Sequence, residues 1–336
     1  MKKVFSLILA LGLIASLTAC GGGNASGNET GDSAPTASTA KLRFVTGGES
    51  GTYYAFGSVI AQHATNNTDV SVTGLVGNGS KSNVEELADG NAELAFCQSD
   101  VMAYAYNGTN LFESPIDCFS TVAALYMEDV QIVTTDPSIK TVADLAGKNV
   151  SVGAAGSGVY FNAVDILSAY GLGDLDADGK FTKINATYQS FGDSADSLKD
   201  GKIDAAFIVA GAPTTSITEL DATAEFDMIS LTPEAVEYLT TNYPFLVQED
   251  LPAGTYPNNI DYDVTCVAVK AVLVASEDLS EDFVYELLTQ MFENQESMAA
   301  TQAKFQFLTL ENAVAGVGDV PMHPGAEKFY TEKGVL

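Results

Sequence analysis

The chain has 336 residues, with 44 acidic against 15 basic ones and a formal net charge of −29 at pH 7. So acidic a protein repels polyanions, which excludes a nucleic-acid binder, and it gains nothing electrostatically from an anionic membrane face. Its length exceeds that of an ordinary single domain and suits two lobes of moderate size.

Residues 1–20 read as a lipoprotein signal peptide. Lys2 and Lys3 form a basic start and Val4 to Ser16 an apolar run, too short for a comfortable membrane span. Leu17-Thr18-Ala19-Cys20 resembles a lipobox, with Cys20 receiving lipid and becoming the mature N-terminus. Residues 21–40, nearly all Gly, Ser, Thr, Asn and Ala, cannot bury enough apolar area to offset chain entropy and read as a flexible tether. The expected location is extracytoplasmic, lipid-anchored to the cell membrane.

From there one pattern occurs twice: an apolar strand, a glycine-rich turn, an amphipathic helix, then a Leu-x-Asp-Gly-x-x-acid-x-Ala-Phe segment. The first copy runs through Leu42–Gly51 and Leu87–Phe96, the second through Asn149–Gly158 and Leu198–Phe207. A strand feeding a glycine turn that opens a helix leaves backbone N–H groups pointing at whatever sits there. Two such halves facing each other form a cleft for a small, anionic ligand.

The first helix carries Phe56, Val59, Ile60 and His63 on one stripe, the second Tyr160, Ala163, Val164 and Leu167. Strands are expected at 42–46, 70–76, 93–97, 130–135, 149–153, 183–188, 203–209 and 264–274. Their alternation with helices predicts a mostly parallel sheet, with ligand beyond the carboxyl ends of its strands. Thr232-Pro233-Glu234 and Ser280-Glu281-Asp282 open two further helices. The layout is lobe 1 at 41–135, lobe 2 at 136–263 and a return to lobe 1 at 264–336, with crossovers near Thr135 and Asp263 acting as a hinge.

Cys97, Cys118 and Cys266 sit in apolar contexts and read as buried unpaired thiols. No spacing suits a zinc site, and His63 reads as a packing residue. Asp174-x-Asp176-x-Asp178-Gly179 matches the opening of an EF-hand loop, but Asn185 replaces the closing acid, so the segment reads as an acidic turn with weak calcium binding as the alternative. No cofactor is implied. Arg43, the only arginine, is the one possible source of a guanidinium clamp on a carboxylate.

Thr46-Gly47-Gly48-x-x-Gly51-Thr52-Tyr53-Tyr54 with Gly57 resembles the opening motif of the TAXI family of TRAP-transporter solute receptors. The resemblance continues at Gly79-Ser80-x-x-Asn83, Gln98-Ser99-Asp100, Ser151 to Gly158, Asn162-Ala163, Leu198 to Pro213 and His323 to Lys328. It departs at Glu49 and Ser50, where the family has uncharged small residues, and at Val159, Tyr160 and Val164. The resemblance implies an α/β type II periplasmic-binding-protein fold, two lobes with a ligand cleft and hinge between them. It also implies delivery of a small organic acid, a glutamate-like amino acid or a dicarboxylate or keto acid, to TRAP membrane permease subunits.

The candidate ligand residues are Gly48, Ser50, Thr52 and Tyr53 on the first turn, Gly156, Ser157 and Gly158 on the second, and Ser80, Asn83, Gln98, Ser99 and Gly211 on neighbouring strand ends. Hydroxyls and N–H groups there can hold a carboxylate without a formal charge, although the same side chains could cap helices or shape loops. Glu49, facing the cleft, would repel a dianion and favour an ammonium; facing solvent, it would favour the helix N-terminus. No catalytic residue is expected. An exported hydrolase on this fold would need a nucleophile beside a base, and neither histidine neighbours such a serine. A binding protein of an ATP-driven importer is the alternative within the receptor class.

Overall fold

A computed structural model describes residues 40–336. The signal peptide, Cys20 and the tether up to residue 39 lie outside the described residues.

β1 (Ala40–Val45) enters from solvent and buries Phe44 and Val45. α1 (Thr52–Asn67) follows, its inward row formed by Tyr53, Phe56, Ile60 and Ala64. β2 (Val70–Leu75), α2 (Ser80–Ala88), β3 (Leu94–Gln98) and α3 (Ser99–Asn107) complete a unit in which β1 lies between β2 and β3, all parallel. β4 (Phe119–Thr134) then leads out of it.

β5 (Asn149–Ser151), α4 (Gly158–Ala169), β6 (Asn185–Thr187), α5 (Phe191–Lys199), β7 (Ala205–Ala210) and α6 (Thr215–Asp221) repeat the plan. β5 lies between β6 and β7, again parallel. β8 (Asp227–Met228), α7 (Pro233–Asn242), β9 (Val247–Leu251) and β10 (Val264–Ser276) come next. The chain ends with α8 (Glu281–Glu293), α9 (Gln295–Thr301), a 3₁₀ turn over Ala303–Phe307, α10 (Leu310–Ala313) and α11 (Pro324–Lys333).

The repeated sequence segments do the same work twice. Gly90 and Gly201 take left-handed conformations at φ 68° and 66°, turning the chain after α2 and α5. The acid that follows clamps the first strand of its unit. Glu93 accepts from the Arg43 N–H at 2.6 Å, and Asp204 accepts from the Asn149 N–H at 2.7 Å.

The strand order is β2-β1-β3-β10-β4-β7-β5-β6. The outer trios are parallel, but β3–β10, β10–β4 and β4–β7 are antiparallel, which corrects the expectation of a mostly parallel sheet. Periodicity marks a strand without its direction, and the two long strands that pass between halves run against their neighbours in both.

Packing also places the changeovers. In β4, Val122, Leu125 and Tyr126 join one core and Val130 and Ile132 the other; in β10, Val267 and Val269 lie in the second core and Ala271 and Leu273 in the first. Along both strands the packing thus changes from one core to the other near Glu128 and Lys270. Both strands are mostly apolar, and the charged residues that interrupt them, Glu128-Asp129 in β4 and Lys270 in β10, fall where the neighbours change. The C-terminal Phe283, Leu287 and Phe329 pack with Phe56 and Phe96 of the first lobe.

The stripe on α4 is half corrected. Ala163 and Leu167 are buried, but Tyr160 and Val164 are half-exposed, and Val159 and Ile166 face the core. Phe161, on another side, inserts among Phe112 and Val101 of lobe 1, so the helix is covered from two directions.

Candidate functional site

Between the lobes lies a cleft of about 530 Å³ lined by the starts of α1, α2, α4 and α5. α1 begins after Gly51 and α2 after Gly79, neither of which carries an acceptor to cover the first N–H groups. Gly79 has φ 104°, a conformation that L side chains rarely adopt. α4 begins after Ser157, whose Oγ caps nothing and has no hydrogen-bond partner. Ser190, Thr232, Ser280 and Thr309, by contrast, each accept an N–H at the starts of α5, α7, α8 and α10, while α3, α6 and α9 also lack a side-chain cap. An uncapped N-terminus attracts a carboxylate by about 0.3–1 kcal/mol in the open and up to ~2 when partly buried.

The lobes are closed over this cleft. The Ser82 N–H donates to Gly156 O at 2.9 Å and the Ser216 N–H to Ser50 O at 3.3 Å. Thr52 Oγ1 donates to Gly211 O at 3.0 Å. A buried side-chain chain also crosses: Gln98 Nε2 donates to Asn162 Oδ1 at 3.2 Å, and Asn162 Nδ2 to Asp100 Oδ2 at 2.8 Å. Burial pushes Asp100 up to about 6. It pushes Asp165, on α4, up to about 8, with the Asp100 charge adding to the effect.

The charge lining the cleft is acidic. Glu49 on lobe 1 and Asp193 and Asp196 on lobe 2 are exposed at its mouth, and Glu128 of β4 lies at its base, 2 % exposed. Glu49 is thus exposed and at the mouth together. No lysine, arginine or histidine lines the cleft among the described residues. Arg43 pairs with Glu93 at 2.6 Å on an exposed surface outside the cleft lining, so it supplies no guanidinium clamp there. Glu128 Oε2 accepts from Tyr53 Oη at 2.7 Å. Burial holds the Glu128 carboxyl well above the usual range, and burial followed by the Glu128 charge does the same to the Tyr53 phenol.

Of the residues expected from sequence, Gly48, Ser50, Thr52, Tyr53, Ser80, Gln98, Ser157 and Gly158 line the cleft. Four do not. Asn83 is fully buried and donates to Thr46 O and Phe96 O at 2.6 and 2.9 Å, tying the ends of β1 and β3 together. Ser99 accepts from the Lys270 N–H at 3.3 Å behind the site. Gly156 faces a neighbouring groove with Ser82 and Tyr160. Gly211 touches the cleft only through its carbonyl bond to Thr52. Asn83 and Ser99 are thus engaged in holding strands, while the carbonyls of Gly156 and Gly211 accept bonds from the opposite lobe.

Sequence reasoning missed Glu128, Phe191, Asp193 and Asp196. Glu128 sits inside a 16-residue strand whose only expected part began at Val130. The other three follow Ser190, the second copy's counterpart of Gly79, and aligning the two copies beyond their glycine turns would have found them. Asp174 pairs with Lys183 at 2.7 Å, and Asp176 Oδ1 accepts the Asp178 and Lys180 N–H groups at 2.9 Å. No group of three His, Cys, Asp or Glu is placed to hold a metal among the described residues. Cys97, Cys118 and Cys266 are unpaired, with Cys118 only half-buried. No helix among the described residues is long and apolar enough to cross a membrane.

A family model described as the NMT1-like family matches residues 44–334. Among solved structures, the chain resembles a protein titled as a periplasmic transporter, with 15% identity, 88% of this chain and 93% of that chain covered, and a TM-score of 0.53. It is similar also to the alkanesulfonate-binding protein SsuA from Xanthomonas axonopodis pv. citri bound to MOPS, at 14% identity, 87% and 83% coverage and a TM-score of 0.49. An ancestral arginine-binding protein bound to arginine matches at 14% identity, with 79% and 98% coverage and a TM-score of 0.47. The fold is the mixed α/β fold of periplasmic binding proteins.

Proposed function

The chain belongs to the NMT1-like family, and on that footing we propose that it is an extracytoplasmic solute receptor that captures a small organic acid and hands it to a membrane transporter. The observation that carries this reading is the meeting of three uncapped helix N-termini, from both lobes, at one closed cleft. A carboxylate there accepts backbone N–H groups of α1, α2 and α4 while hydroxyls of Ser50, Ser80 and Ser157 stand beside it. Closure removes water and strengthens those bonds. The solute leaves unchanged.

Residues 1–20 export the chain and residues 20–40 tether it by lipid at Cys20. The permease is a TRAP-type secondary transporter, a reading that rests on the sequence motifs from Thr46 to Lys328. Uptake driven by an imposed ion gradient without ATP supports it; uptake that needs ATP assigns the receptor to an ATP-driven importer instead.

Catalysis is a poorer reading of the same cleft. His63 lies on the far part of α1, and both ring nitrogens of His323 are engaged with backbone, Nδ1 accepting the Gly325 N–H at the start of α11 and Nε2 pairing with Leu279 O ahead of α8. Neither stands beside Ser50 or Ser157. A thermal-shift screen of amino acids, dicarboxylates and keto acids, run beside an ester and amide turnover assay, tests the choice. Ligand at a hundredfold its dissociation constant stabilises by about 2.7 kcal/mol, a readily measured rise in Tm. Turnover without any such rise overturns the receptor.

A further inference from the structure

We propose that the captured solute carries a protonated amine as well as its carboxylate, and that Glu128 is the residue that selects it. The inference rests on the receptor reading and narrows its ligand.

The starting point is a mismatch in the cleft. Three open helix ends provide for one anionic group, yet the acids lining the cleft face no cation in that lining among the described residues, with the Glu128 carboxyl at the base and Glu49, Asp193 and Asp196 at the mouth. A dicarboxylate would have one end on the helix N-termini and the other against these acids, with no cation lining the cleft to meet it. Like charges brought together in a desolvated site cost several kcal/mol. A ligand with a carboxylate at one end and an ammonium at the other meets complementary groups at both.

Glu128 is placed for the second role. Its Oε2 takes the Tyr53 hydroxyl at 2.7 Å, and no described residue donates to Oε1. The buried Gln98 amide supplies an independent second acceptor. Asp100 accepts from Asn162 Nδ2, which turns Asn162 Oδ1 toward Gln98, which in turn takes Gln98 Nε2. That relay leaves Gln98 Oε1 over Gly158 in the cleft lining, buried and without a donor. A buried acceptor left unmade costs about 1–3 kcal/mol, and an ammonium with three N–H donors is the group that repairs it.

Proton linkage follows. Burial raises the Glu128 carboxyl well above its usual range, and an arriving ammonium favours its ionised form, so binding favours release of a proton. The groups that bear on Glu128 are Tyr53 from α1, Cys97 from β3, Asp100 from α3, Tyr126 and Asp129 on its own strand, and Lys304 from the 3₁₀ turn. Asp100 and Asp129 are pushed up to about 6, so a variant at Glu128 is needed to isolate its part.

The test is isothermal calorimetry between pH 5.5 and 8 on matched triplets: glutamate, 2-oxoglutarate and glutarate; leucine, 4-methyl-2-oxopentanoate and 4-methylpentanoate. The expected result is that an amino member binds at least 30-fold more tightly than its partners. Its affinity should rise with pH by up to tenfold per unit, and proton release should be measured in buffers of different ionisation heat. Glu128→Gln, which keeps an acceptor for Tyr53, should erase both the preference and the pH slope while leaving the thermal transition cooperative. Should that variant fail to fold, the wild-type preference for the amino member of each triplet decides. Oxo or deaminated members binding as well as the amino ones, or a Glu128→Gln protein that keeps the preference, overturns the inference and leaves the receptor standing. Absence of binding by every member of a broad amino- and organic-acid panel overturns both.

Discussion

In lobe 1 the helix that follows the second strand, α2, opens after Gly79 with nothing over its end; its counterpart in lobe 2, α5, opens after Ser190, which accepts the Asp193 N–H at 3.2 Å and also pairs with the Asp193 carboxylate. The strand order, the left-handed glycines and the clamping acids Glu93 and Asp204 are the same in both halves. The copies thus agree where the scaffold is held and differ at the cleft. Lobe 1 presents two open helix ends, lobe 2 one open end and two acids. A twofold-like frame has been made polar across its cleft, and the ligand should be polar in the same sense.

The largest expected effect comes from removing the open end that lobe 2 retains. A Cβ at Gly158 would overlap Gln98 Oε1 and crowd Ser80 Oγ across the lobe boundary. Gly158→Val should weaken solute binding by at least about 100-fold, about 2.7 kcal/mol, by calorimetry. At Gly48 of lobe 1 a Cβ meets nothing within 4 Å. Gly48→Ala should therefore leave the Tm within about 1 °C, in line with a surface change of under ~0.5 kcal/mol. Equal Tm losses in the two variants would mean the lobes do not differ as described.

The interface between lobes titrates. The carboxyl of Asp165, held up to about 8 by burial and then by Asp100, binds its proton more tightly in the fold than in the unfolded chain, where it titrates near its ordinary value. Stability from this group is complete at low pH and is lost as pH rises toward 8. Asp100, pushed up to about 6, acts in the same direction over the lower part of that range. The Tm should be higher at pH 5.5 than at 8.5, and Asp165→Asn should remove roughly 2–5 °C of the difference, the equivalent of about 1–2 kcal/mol. A Tm that rises with pH contradicts this reading.

Much of this comparison was legible in the sequence. The two copies announce the repeated unit, and glycines 47, 51, 79, 156 and 158 mark where backbone must turn or approach closely. What the sequence hid has physical causes. The direction of β4 and β10 depends on neighbours far along the chain, and a charged residue inside a long strand, such as Glu128 or Lys270, does not by itself reveal a lobe changeover or a cleft. Asn83 and Ser99 look like ligand groups because polar residues at strand ends serve ligands or the sheet edge equally well; only geometry separates the uses.

Two smaller effects sharpen the picture. Thr52→Val removes the hydroxyl that donates to Gly211 O across the lobes, one buried bond of about 1 kcal/mol, so affinity should fall roughly fivefold with little change in the Tm of the ligand-free protein. Arg43→Gln should leave affinity within twofold, because Arg43 is committed to Glu93 and Gly90 outside the cleft lining. A large loss there would restore the arginine as a carboxylate clamp.

The most direct measurement is a crystal structure of the protein with the solute that stabilises it best. The account predicts density between the starts of α1 and α4, with a carboxylate oxygen accepting backbone N–H groups beside Thr52 or Gly158. Density confined to another groove, with those helix ends facing only water, would contradict it.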